Sequence, residues 1–110
     1  MLVTKSFDRY LLTYVGGTSL QGGEPGADIN CYQANSRVGL LRFFRDGATM
    51  PANKVLSDGS LALYYEMSRF NDVITTLRFE KPLMLVVNSD TGFGYICSAT
   101  LEPVGEQEGV

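Results

Sequence analysis

The chain has no histidine among its 110 residues, which removes the commonest general base and metal ligand along with every Ser-His-Asp and Cys-His arrangement. Carboxylates are left as the groups able to do acid–base work. Asp46, Asp58 and Asp90 fall in turns, where aspartate is favoured for bonding the local backbone, and Asp72 falls in the first turn of a helix, where it complements the dipole. Glu66 lies within a strand beside Tyr64 and Tyr65. A carboxylate among aromatic rings could have a raised pKa and bind a ligand, and the plainer reading is an outward-facing glutamate near a strand end.

Cys31 and Cys97 lie far apart with no CxxC spacing, so zinc-ribbon and thioredoxin-like readings fall away. Each has apolar or aromatic neighbours on a candidate strand, the setting of a reduced, buried thiol. Gly16-Gly17 and Gly22-Gly23 lack the lysine and hydroxyl that a phosphate loop needs, and they read as loop punctuation. Arg37, Arg42 and Arg45 interleave with Phe43 and Phe44, a combination that some sheets use to bind single-stranded nucleic acid. Strand parity places Arg42 with Phe44 on one face and Phe43 with Arg45 on the other. The arginines are therefore split between faces, and they read better as guards of an edge strand against aggregation.

These residues have to be positioned by a small set of elements. Phe7 to Val15 reads as a strand and 16–28, with five glycines and one proline, as a long loop. Strands 29–34 and 38–45 form a hairpin around Asn35, Ser36 and Arg37. The segment 48–59 is a connection or a short edge strand, and 60–67 resumes the alternating pattern. Ser68 is the expected N-cap of a helix whose apolar face is Phe70, Val73, Ile74 and Leu77, and Pro82 ends that helix near Phe79 or Glu80. Leu83 to Val87 is apolar at every position, as a central strand buried on both faces should be. A turn at 88–92 leads into the returning strand 93–101, and 102–110 reads as a flexible acidic tail beyond a single domain of residues 1–101.

Hydrophobic residues make up 45% and charged residues 19% of the chain, the balance of a chain that folds. The net charge of −3, from 12 acidic against 9 basic side chains, makes nucleic acid the weakest partner reading. No apolar run approaches the ~20 residues that cross a bilayer, and the N-terminus lacks a secretion signal, so no membrane partner and a cytoplasmic location are expected.

The expected fold is α+β, a mainly antiparallel sheet of five or six strands, curled and barrel-like, with one amphipathic helix packed on it. A helix of this length covers only part of one sheet face, which leaves apolar surface to be buried by curling, by a second copy or by a partner. All six tyrosines fall on candidate strands, and tyrosine suits both an ordinary pleated surface and an interface. The function that follows is a non-enzymatic binding or interaction module, a homo-oligomer and most simply a dimer. It would present Tyr10, Tyr14, Arg42, Tyr64, Tyr65 and Glu66 to a protein partner or small ligand, without a cofactor. The rival is a small-molecule-binding protein or enzyme with its pocket inside the curled sheet, using Glu66, Arg42 and one or more tyrosines.

Overall fold

The structure is a computed structural model, and it describes residues 1–16 and 25–104. Among the described residues the strands are β1 (Leu2–Phe7), β2 (Arg9–Tyr14), β3 (Pro25–Gln33), β4 (Ser36–Phe44), β5 (Lys54–Val55), β6 (Leu61–Glu66), β7 (Leu83–Asn88) and β8 (Gly94–Ser98), and the one α-helix is α1 (Phe70–Phe79). They form an α+β fold with two sheets, a three-stranded one in the order β1-β7-β8 and a five-stranded one in the order β2-β3-β4-β6-β5. All neighbours are antiparallel except β4 and β6, which run parallel.

The single curled sheet expected from the sequence is therefore corrected to two sheets packed on one core, neither closed. The chain changes sheets at Asp8. What reads as one strand from Phe7 to Val15 is the end of β1, one residue of corner, and β2, and the two halves pair with different sheets. The Asp8 N–H donates to the Tyr32 carbonyl at 2.9 Å while its carboxylate accepts from the Ala34 N–H at 3.3 Å, so the corner is tied to the β3–β4 turn. Such corners let a strand leave one layer and enter the other. β1 itself escapes a periodicity reading because Lys5 interrupts the inward row of Val3 and Phe7.

Facing rows from the two sheets make the core. Ala27, Ile29 and Cys31 of β3, Leu41 and Phe43 of β4, and Leu61 and Leu63 of β6 meet Leu83, Leu85 and Val87 of β7 and Phe7 of β1. Phe70, Val73, Ile74 and Leu77 bring α1 onto the same core, as their helical spacing predicts. Gly39 lets the two layers pack without a side chain between them, because a Cβ there would overlap the Leu85 Cδ1 atom and lie 3.3 Å from the Leu61 carbonyl oxygen.

Several expectations hold. β7 is a central strand, of the smaller sheet, and β8 returns beside it. The β3–β4 hairpin forms, with its turn at Ala34 and Asn35. β5 is a short edge strand, and α1 ends at Phe79. Others are corrected. Residues 25–28 belong to β3 rather than to the expected loop, whose remainder at 17–24 lies outside the described residues, as do 105–110 of the expected tail. Ser68 does not cap α1: it sits in a 3₁₀ turn, Met67–Arg69, and its N–H donates to Asp46 Oδ1 at 3.0 Å. Asp46 thus serves a distant helix start and not its own turn. β4 is the middle strand of the larger sheet, so its arginines guard no edge.

Candidate interaction surface

The register of the larger sheet sorts the six candidate residues into two groups. Arg42, Tyr64 and Glu66 stand on its outer face, turned away from the smaller sheet, with Arg42 opposite Tyr64 and Phe44 opposite Glu66 across the parallel pair. Tyr10, Tyr14 and Tyr65 belong to the inner side, in register with the core rows.

On the outer face the charges are held in place. Arg42 Nε donates to Asp28 Oδ1 at 2.8 Å and Nη2 donates to Oδ2 at 3.0 Å, a two-pronged contact that raises the guanidinium pKa above its ordinary value. A β-bulge between Cys31 and Tyr32 turns Arg37 to the same face, which simple alternation from Arg42 does not foresee. Arg37 donates to Asn30 Oδ1 at 3.2 Å and, through Nη2, to Asp58 and Ser60, each at 3.3 Å. Asp58 also accepts from the Ser60 hydroxyl at 2.6 Å and its N–H at 2.9 Å, and these bonds, with Arg37, lower its pKa to about 2. Both arginines on this face are thus engaged with carboxylates, which weakens the phosphate-tracking reading further. Between them Leu40, Phe44 and Ala62 are buried, and the half-buried Tyr64 ring lies against Phe44, with centroids 6.1 Å apart, and under Lys54, whose Nζ is 6.0 Å from the Tyr64 ring centroid. Glu66 accepts from the Gly47 N–H at 2.8 Å, so its carboxylate fastens a loop.

The inner group is built around α1. Tyr14 stacks on Phe70 at 5.3 Å, Phe70 meets Phe43 edge-on at 5.1 Å, and Phe43 stacks on Tyr65 at 5.4 Å. Tyr14 and Tyr65 are therefore joined through Phe70, which reads in sequence as part of the helix's apolar face, and Phe43, which reads as an aromatic among the β4 arginines. Burial raises the Tyr65 phenol above its ordinary value. Tyr10 stands apart, in a cleft of about 260 Å³ that it shares with Asp8, Arg9 and the last turn of α1. A second cleft, of about 290 Å³, lies on the other side of the helix between Tyr65, Arg69, Asp72 and Tyr95. Glu66 lines neither cleft. The rival reading loses its curled sheet, and its Glu66 has another partner.

Neither thiol is bonded: Cys97 is half-buried, and burial pushes Cys31 up to about 12. Among the described residues no three or more Cys, Asp or Glu side chains gather as metal donors, and no helix is long and apolar enough to cross a membrane. Compared with protein-family models, curated proteins and solved structures, the chain matches none.

Proposed function

We propose that this protein is a small non-enzymatic binding module that self-associates and presents the outer face of its larger sheet to a protein partner or a small ligand. The observation that carries this reading is the makeup of that face. Arg42, fixed by Asp28, stands beside the half-buried Tyr64, whose ring rests on the buried Phe44, and the described helix packs on the opposite side of the sheet. Aromatic rings and pre-oriented arginines lose little freedom on binding, which is why they dominate the energetic centres of interfaces. The tethered arginines favour a surface for polar and apolar groups together over one for a polyphosphate chain.

Native mass spectrometry of the freshly isolated protein tests the proposal, compared with a Tyr64→Ser, Arg42→Ala variant whose fold is checked by circular dichroism. The wild type is expected to show a second copy together with an added partner or ligand mass, and the variant to lose the added mass. A wild-type monomer with no added mass at any protein concentration overturns it.

A further inference from the structure

We infer that two copies of this chain pair through β2, antiparallel about a two-fold axis at Leu12, so that their larger sheets join into one. This rests on the self-association in the proposed function and names the surface that carries it.

β2 is an edge of the larger sheet and, among the described residues, pairs with β3 alone. The Val15 N–H donates to the Gly26 carbonyl at 2.9 Å, which places residue 15 among those whose backbone groups face β3. By the alternation of an antiparallel ladder, the N–H and C=O groups of Tyr10, Leu12 and Tyr14 then point away from β3, into the open edge. Three donors and three acceptors at alternate positions form a template for another strand.

The other edges carry protection that β2 lacks. β5 has two residues and includes Lys54, β1 carries Lys5 in its inward row, and β8 is shorter and opens on Gly94. From Tyr10 to Val15 there is no charge, proline or glycine. Apolar side chains lie open along this edge, Leu11 at 59%, Leu12 at 41% and Tyr14 at 64% of full exposure. A long apolar edge without such devices recruits another strand.

The sequence of β2 says which strand it fits. With the axis at Leu12, Leu12 faces its own copy, Tyr10 faces Tyr14, Leu11 faces Thr13, and Arg9 faces Val15. The Leu12 pair is apolar and the two Tyr10–Tyr14 pairs are aromatic, Leu11 meets the uncharged Thr13, and the only charge on the strand, Arg9, faces Val15 and meets no like charge. The outward backbone groups of Tyr10, Leu12 and Tyr14 are their own complement under that rotation, as an isologous contact requires. A basic peptide would find no counter-charge on this strand, and an acidic one would find Arg9 alone, at its end. A second copy is the occupant the strand matches.

Three measurements on the intact chain test this. Leu12→Lys places two like charges opposite each other and is expected to weaken dimerisation at least about tenfold by sedimentation. In hydrogen exchange, the amides of Tyr10, Leu12 and Tyr14 are expected to slow as protein concentration rises. In a Cys97→Ser background, Leu12→Cys is expected to give a covalent dimer on mild oxidation and Leu11→Cys none. A dimer that forms equally well with Leu12→Lys and leaves those amides in fast exchange overturns this interface while self-association stands. A chain that stays monomeric overturns both.

Discussion

Arg42 and Asp28 face each other across β4 and β3, joined by two hydrogen bonds of 2.8 and 3.0 Å on the open side of the larger sheet. Their side chains are 37% and 24% exposed, so solvent screens the pair in part and its coupling should be about 0.5–1 kcal/mol. A double-mutant cycle of Arg42→Ala and Asp28→Ala, followed by urea unfolding, measures it. Arg42→Lys should lose most of the coupling, because an ammonium cannot make the two-pronged contact. A coupling indistinguishable from zero would mean the fork is not held in solution, and the pre-oriented face would lose its anchor.

Gly39 should not tolerate a side chain. The Leu85 side chain it would meet is fully buried, with little room to turn aside, and the Leu61 carbonyl, 3.3 Å from the added carbon, belongs to the backbone of a paired strand. Gly39→Ala is expected to cost about 1–3 kcal/mol, seen as a lower urea midpoint with an unchanged slope. Leu85→Ala alone should cost about 2–5 kcal/mol through the cavity it leaves. The double variant should cost less than the sum, since the new methyl grows into that cavity. Strict additivity would show that the sheets approach differently.

Asp46 and Ser68 separate a remote cap from a local one. Asp46→Ala is expected to cost about 1 kcal/mol and Asp46→Asn less, because the amide oxygen can still accept from the Ser68 N–H. Ser68→Ala should stay within about 0.5 kcal/mol. If the serine variant proves the more damaging in thermal unfolding, the hydroxyl caps the helix after all.

This contrast also shows what the chain's pattern reveals unaided. Elements specified by their own residues were legible: the helical row Phe70, Val73, Ile74 and Leu77, the continuous run of β7, and the β3–β4 and β7–β8 hairpins. Features that depend on distant segments were not. Asp46 caps a turn 22 residues away, Asp8 divides one apparent strand between two sheets, and Val38 at a bulge brings Arg37 round to join Arg42. Periodicity reports which residues share a face of one strand, and it carries no information on which sheet that strand joins. For the same reason the six candidate residues could be named while their separation into an outer and an inner group could not.

Asp58 should govern part of the acid limb of stability. Its carboxylate, held near 2 by the Ser60 hydroxyl, the Ser60 amide and Arg37, lies below its ordinary value of 3.8. The folded state therefore favours the charged form, and that stabilisation, present above the ordinary value, is lost as pH falls toward 2. Asp58→Asn should flatten the fall in urea midpoint across this window. An equally steep fall in the variant would place the acid sensitivity elsewhere.

Cys31 should act at the alkaline end. Burial lifts its thiol from an ordinary 9.0 to about 12, so between these values the unfolded chain loses a proton that the folded chain keeps. The folded pKa is the higher one, hence the stabilisation is complete below 9 and disappears as pH rises toward 12. The slope can reach about 1.4 kcal/mol per pH unit from this thiol alone. Tyr65, raised by burial from 10.0, adds a loss of the same sign at the upper end of the range. Cys31→Ala removes the thiol and retains a small apolar group, so it should lower stability at neutral pH and flatten its decline above 9. Urea midpoints for both proteins, measured at intervals from neutral pH upward, decide it: converging curves support a proton held by the core, and parallel curves mean that the thiol ionises as freely in the folded state as in the unfolded one.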